Sequence, residues 1–327
     1  MTGVPSASPL AAVVVPTHDD AGRLDSCLRA LGAQTVRDAL QIVVSVDGGP
    51  PLPDATASLA DIVVEGPRMG PAAARNRGWR VSSGCCVLFT DADCIPCATW
   101  AEALIRTLED GADGVKGAYS GGGPGLIQRL AQAEFEERYR LLSAKGSTDL
   151  VDTYSAGFRR EALESAGGFD ESFPFPDHED VDLSYRLRAA GADLRFQPAA
   201  LVAHTHRNTW RGYFRTKASR GRWRVEVVRR HPAMAGGGDY TPRCLRIQLL
   251  LAPLAVPALL LTPILPAAGP AWAAAFLLST LPLAVTALRT DPGIAAAIPA
   301  FALWRAAALS SGMLRGIFRG SQRGRRA

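Results

Sequence analysis

No charged residue occurs between Ile247 and Leu288, and no other feature constrains the fold of this chain as strongly. An apolar helix rises 1.5 Å per residue and needs about 20 residues to cross a bilayer, so this stretch is about twice one crossing. Pro266-Ala267-Ala268-Gly269-Pro270 falls near its middle and reads as a tight turn. The expectation is a transmembrane helical hairpin, roughly 247–266 and 270–288, within a segment 245–289. A pair of buried helices in a soluble domain is the competing reading. A third apolar stretch, Ile294–Leu314, carries Arg305 at its centre. An arginine in mid-membrane is costly, so 290–327 is expected to be an interfacial helix with a basic tail. Arg243 and Arg246 flank the hairpin on one side, Arg289 and the tail on the other. The positive-inside rule then makes their shared face cytoplasmic.

The net charge of +5 is modest but unevenly placed. Between His206 and His231 nine Arg/Lys face the single acid Glu226, and from Arg315 onward five Arg face no acid. Such clusters bind phosphates, on nucleic acid or on an anionic membrane. The apolar neighbours favour membrane lipids, with no nucleic acid among the partners, and 206–244 reads as a basic, membrane-hugging segment. Residues 1–9 are small and polar and are expected to be disordered; they lack the basic start and apolar core of a signal peptide. The expected location is therefore the inner (cell) membrane, multi-pass, with the long N-terminal part in the cytoplasm. Six cysteines fit that compartment as free thiols. Cys94-Ile95-Pro96-Cys97 is a lone CxxC with no second pair to complete a zinc site.

Residues 10–205 alternate strands and helices. Leu10–Val15, Gln41–Val46, Asp61–Glu65 and Cys85–Thr90 read as strands; Leu24–Ala33 and Gly70–Val81 read as helices, the second with Pro71 in its first turn. The alternation predicts an α/β domain with a mainly parallel sheet, whose ligands bind at the carboxyl ends of the strands. Three strands end there in polar sets: Pro16-Thr17-His18-Asp19, Asp47-Gly48-Gly49 and Asp91-Ala92-Asp93. Each alone is ordinary turn chemistry; together they make a site. Two carboxylates one residue apart suit Mg²⁺ or Mn²⁺.

These motifs, with Gly70-Pro71-Ala72-Ala73-Ala74-Arg75-Asn76-Arg77-Gly78, Gly167-Gly168-Phe169-Asp170-Glu171, Glu179-Asp180-Val181-Asp182 and Val202-Ala203-His204, resemble family-2 glycosyltransferases over about residues 10–230. The resemblance implies a GT-A fold and inverting transfer from a nucleotide-diphosphate sugar to a lipid-linked or polysaccharide acceptor, with a divalent metal on the diphosphate. It carries nucleotide-sugar contacts onto Pro16, Thr17, Asp19, Asp47, Arg75, Asp91 and Ala92. His18-Asp19 stands where the family has Tyr-Asn, and Gly48 follows Asp47 in place of a second Asp or Asn. Displacement at an anomeric carbon needs a base for the acceptor hydroxyl. Asp180 is the candidate, at the start of the helical stretch Val181–Ala190; Glu179 is the alternative, and Asp182 reads as structural. Both acids would also serve simply to complement a helix N-terminus. For the metal, Asp91 and Asp93 need a third ligand. His204 follows the short strand Ala200–Ala203, and His206 is its rival if that strand continues. Arg75 has Asp47 or the diphosphate as candidate partners. Arg220 and Trp223 distantly resemble the acceptor-side Arg-Trp motif of processive family members. Another nucleotide-using transferase and a non-catalytic membrane adaptor remain the alternatives. A dinucleotide enzyme is disfavoured, because no Gly-x-Gly-x-x-Gly follows the first strand.

Overall fold

The computed structural model describes residues 9–18, 21–173, 177–234, 238 and 240–323. The described residues form two compact units, one within 1–120 and 145–204 and one within 121–144 and 205–327.

The first unit is built on strands β1 (Ala11–Thr17), β2 (Leu40–Asp47), β3 (Ile62–Gly66), β4 (Cys86–Thr90), β5 (Cys94–Pro96), β6 (Gly114–Ser120), β7 (Ser155–Arg159) and β8 (Leu194–His204). They form one sheet in the order β3-β2-β1-β4-β7-β6-β8-β5. β3, β2, β1 and β4 run parallel, as the alternation predicts; β7 is antiparallel to both β4 and β6. The helices of this unit are α1 (Ala21–Gly32), α2 (Asp54–Ala57), α3 (Pro71–Val81) and α4 (Trp100–Glu109). The second unit contributes α5 (Leu126–Lys145, whose last residue counts with the first unit), and the first unit resumes with α6 (Arg160–Ser165) and α7 (Glu179–Ala189).

The apolar run of β1 buries both faces of the sheet, because successive side chains point oppositely. Val13 and Val15 join Leu24 and Leu28 of α1 and Trp100 and Leu104 of α4. Val14 joins Trp79 of α3, Leu163 of α6 and Leu183 of α7. Sandwiching the sheet between two apolar layers leaves its carboxyl-end loops as the place for polar chemistry.

The second unit is helical. After α5 it comprises α8 (Trp210–Arg230), α9 (Arg243–Leu251), α10 (Ala255–Leu261), α11 (Ala268–Thr290) and α12 (Ile298–Arg323). Residues 121–144 therefore group with the C-terminal helices and not with the sheet, although they fall inside the 10–205 span expected to form one catalytic domain. Among the described residues three helical stretches are long and apolar enough to cross a membrane: Arg243–Leu261, Ala268–Thr290 and Pro292–Phe318. The first two correspond to the expected hairpin. Large apolar side chains stand outward on both, among them Leu250 and Leu260 (each 72 % exposed) and Leu278 (64 %).

Arg305 is fully buried. Its Nη2 donates to Gln248 Oε1 at 2.8 Å, and its Nη1 lies 3.8 Å from Glu134. Glu134, on α5, also receives Lys217 Nζ and the Tyr213 hydroxyl, each at 2.8 Å, and pairs with Arg138. Burial alone would raise the Glu134 pKa, but Lys217, Arg138 and Arg305 hold it well below the usual carboxylate range. The charge inside the apolar run is thus met by protein, and the lipid cost counted against spanning does not arise.

Candidate active site

The two carboxylates at the end of β4 meet their neighbours through sheet register. The chain leaves Asp93 directly into β5, which pairs antiparallel with β8 so that Cys94 faces His204. Asp93 Oδ2 therefore lies 3.4 Å from His204 Nε2, and 3.4 Å from Arg23 Nη1. Burial works to raise the Asp93 pKa, but the hydrogen bond and charge of His204, with Arg23, hold it below the ordinary value. β8 ends at His204, so the strand does not continue to the rival His206. His206 belongs to the helical unit, where Nε2 meets Gln132 Oε1 at 3.0 Å and the ring stacks on Phe135.

His204 is held by a stack that the sequence did not reveal. Its ring lies on Tyr119 (centroids 5.0 Å), which lies on Tyr154 (3.6 Å). Tyr154 OH is 3.1 Å from the buried Lys116 Nζ, which pairs with Asp152. Cys94 Sγ also lies close to the Asp91 and Asp93 carboxylates. Burial, with those two charges, pushes its thiol strongly up, so it stays protonated and is a poor ligand for a hard cation. The hard donors of that cluster are the Asp91 and Asp93 carboxylates, and the His204 imidazole lies beside Asp93.

Arg75 does not pair with Asp47. From the buried face of α3 its guanidinium reaches Asp91 Oδ1 with Nη2 at 2.8 Å and Glu179 Oε1 with Nη1 at 2.6 Å. Each terminal nitrogen thus donates to a protein carboxylate. Asp47 accepts from the backbone N–H groups of Met69 and Gly70 at 2.8 and 2.9 Å and fixes the loop that enters α3. Asn76, next to Arg75, fills all its bonding capacity: Nδ2 donates to the Phe169 carbonyl and Glu171, and Oδ1 accepts from Phe169 N and Trp79 Nε1. It staples α3 to the Gly167-Gly168-Phe169 turn.

The acidic pair opens α7, two residues earlier than the sequence reading placed the helix. It follows His178, the only non-glycine residue with positive φ among those described (φ 75°). A left-handed residue costs about 1 kcal/mol or more and tends to persist where function over-determines it. Glu179 is buried on Arg75, with Oε2 lacking a partner; burial keeps its pKa raised despite that ion pair. Asp180 is half-buried, its Oδ1 accepting from Val181 N at 2.8 Å. Burial, then the charges of Glu179 and Asp152, push its pKa up to about 7. A carboxylate poised there suits proton abstraction near neutral pH.

Thr17 ends β1 as a buried residue whose Oγ1 has no partner, beside the half-buried Pro16. Asp19 lies outside the described residues. Ala92 is half-buried between the two aspartates. Arg220 and Trp223 fall on α8 in the helical unit, Arg220 exposed and Trp223 half-buried.

A sheet of this order with paired aspartates leaving a central strand agrees with a family profile. The profile described as "Glycosyl transferase family 2" matches residues 12–167. Through that domain the chain belongs to glycosyltransferase family 2. The pre-mycofactocin glycosyltransferase of Mycobacterium tuberculosis is 32 % identical over 232 residues, covering 67 % of this chain and 48 % of the relative. This chain thus spans about half the length of that relative. Glycosyltransferase AglE of Haloferax volcanii is 29 % identical over 224 residues, 62 % of this chain and 69 % of the relative. Among solved structures, the mannosyltransferase PcManGT of Pyrobaculum calidifontis, in complex with GDP-Man and Mn²⁺, superposes with a TM-score of 0.55 at 21 % identity. That match covers 96 % of this chain and 88 % of the other, and it shows a shared fold.

Proposed function

We propose that this family-2 protein transfers a sugar from a nucleotide-diphosphate sugar to an acceptor hydroxyl, with inversion at the anomeric carbon. The observation that carries the proposal is Arg75, whose one guanidinium joins Asp91 to Glu179 and so ties the carboxylates after β4 to the acidic start of α7. Asp180 then takes the proton of the acceptor hydroxyl. That oxygen forms its bond to the anomeric carbon from the side opposite the diphosphate, and the carbon–oxygen bond to the diphosphate breaks with its electron pair leaving on phosphate. Asp93, Asp91 and His204 would hold a divalent ion, Mn²⁺ or Mg²⁺, which when bound neutralises the diphosphate charge. Thr17, with its unpartnered hydroxyl, and the half-buried Ala92 are proposed donor contacts. PcManGT holds GDP-Man and Mn²⁺ on the same fold, which supports this donor class without selecting the base or the sugar. The test is a panel of nucleotide sugars with Mn²⁺ or a chelator, read as nucleotide release. At least one donor should turn over with Mn²⁺ and none with chelator; turnover insensitive to chelation would remove the metal from the reaction.

We further infer attachment to the inner membrane through the hairpin Arg243–Leu261 and Ala268–Thr290, with a lipid-linked or polysaccharide acceptor. The exposed leucines of both helices support it. Although Pro292–Phe318 meets the length criterion, α12 packs along α8, where Trp304 lies against Trp210 and Phe214 and the Arg229 guanidinium donates to Gly316 and Ile317 carbonyls. A helix as basic as α8 is expensive to carry into hydrocarbon, which supports α12 lying at the interface. Both termini would then be cytoplasmic. A tag placed after Ala327 should be protease-accessible in inside-out vesicles and protected in right-side-out ones; the reverse pattern would mean that the third stretch spans.

A further inference from the structure

The helical unit contains a cavity of about 740 Å³ whose lining has no place in the transfer chemistry. Four arginines face it: Arg211, Arg215 and Arg222 from α8 and Arg315 from α12. Among the described residues none of the four is in an ion pair, and Glu226, the lone acid of α8, is taken by Arg230 at 3.3 Å. The lining is also aromatic, with Trp210 and Phe214 from α8 and Trp304 from α12. Trp304 meets Trp210 edge-to-face at 6.2 Å and Phe214 at 4.9 Å. The Trp304 indole N–H donates to the Trp210 carbonyl at 3.2 Å, which fixes the pair.

The cavity is a built feature of the helix packing. α8 and α12 touch backbone to backbone through Gly221 and Gly312: a Cβ on Gly312 would collide with the Ala218 carbonyl, and one on Gly221 with the Leu309 carbonyl. At that seam the helices are drawn together, and Ala218 borders the cavity from it. The arginines and indoles of both helices line the space beside it.

We propose that this cavity binds the phosphate head of an anionic lipid, with the apolar chain leaving past the tryptophans. Unneutralised guanidiniums in a concave site call for a phosphate and match its oxygens in pairs. Inorganic phosphate would leave most of 740 Å³ unfilled. Trp210 and Trp304 are 39 and 40 % exposed, an apolar body with a polar tip of the kind found where headgroups meet acyl chains. Next to Arg315 on α12, Leu314, Ile317 and Phe318 are 52, 48 and 69 % exposed, giving the chain an apolar surface to follow. The site goes beyond the proposed transfer and needs neither donor nor metal.

The test uses the full chain in an uncharged maltoside detergent, titrated with dihexanoyl phosphatidic acid and followed by tryptophan fluorescence and thermal shift. Dihexanoyl phosphatidylcholine supplies the same tails without the dianionic head, and inorganic phosphate supplies the anion without tails. Phosphatidic acid should bind saturably, at least about 10-fold tighter than either comparator. Arg215→Gln with Arg222→Gln should weaken it at least about 10-fold, in line with two lost phosphate contacts. Trp304→Ala should weaken phosphatidic acid but not inorganic phosphate, and Arg207→Gln, outside the cavity, should change nothing. Arg215→Gln alone, at an exposed position, serves if the double variant unfolds. Equal binding of inorganic phosphate would make this a free-anion site, and equal binding of phosphatidylcholine a merely apolar one. Either result, or no effect of the arginine variants, overturns the proposal. No donor or turnover enters the assay, so its outcome is independent of the proposed transfer.

Discussion

Asp180→Asn is expected to lower kcat by roughly 10²–10⁴-fold while leaving affinity for the nucleotide sugar within about twofold. The substitution keeps the shape and the hydrogen bond from Val181 N and removes only the capacity to take a proton. The pH profile gives the same residue a second signature. With its pKa pushed up to about 7, Asp180 is charged only above that value, so kcat/KM should rise with pH through about 7 and then level off. The same shift acts on stability in the opposite direction. The fold prefers the neutral carboxyl relative to an unfolded aspartate near about 3.9. That preference is fully present below about 4 and is lost as pH rises through about 7. Asp180→Asn should therefore flatten the activity profile and stabilise the protein modestly at neutral pH. Loss of donor binding equal to the loss of turnover would show that Asp180 holds the donor or the fold and is not the base.

Asp93→Ala is expected to abolish transfer and the Mn²⁺-dependent part of nucleotide binding. Removing an outer partner of a metal ligand typically costs 10–100-fold in affinity, and removing a ligand should cost more. Asp93 is half-exposed and its contacts to His204 and Arg23 are long, so thermal stability should change little. Asp91→Ala should separate from it. It weakens binding but also takes one of two carboxylates from the buried Arg75, so it should lower the unfolding temperature where Asp93→Ala does not. Isothermal titration of a nucleoside diphosphate with and without Mn²⁺, beside thermal unfolding, reads both effects. Undiminished Mn²⁺-dependent binding by Asp93→Ala would end the assignment.

What the sequence made legible follows from where its signals are local. Four parallel strands each carry an apolar run, and three of them end in polar sets, so the parallel half of the sheet was readable. The family resemblance then supplied the acidic pair and His204. Partnerships across the fold were not readable. The sequence offers Arg75 either Asp47 or the diphosphate, whereas α3 carries the guanidinium to Asp91 and across to Glu179. Whether the strand continues past His204 was not readable either; β8 ends there, with His204 beside Asp93. α5 was missed for a related reason. Its buried face includes Gln128, Glu134, Glu137 and Arg138, which in sequence look like a solvated surface. Glu134 finds its partners on α8 and α12 and Glu137 on α9, far along the chain, and no spacing rule connects them.

Gln248 has a consequence for the apolar helices that their leucines cannot supply. Leucine surfaces are nearly interchangeable from one turn to the next, so they leave open how far one helix has slid past another. Gln248, with no exposed surface, donates to the Ser279 carbonyl on α11 at 3.0 Å and accepts from Arg305 on α12. A slip of one turn, about 5.4 Å, would strand a guanidinium and an amide among hydrocarbon side chains. One amide therefore acts as a depth gauge, setting the axial position of three helices against each other where greasy contact alone would let them drift.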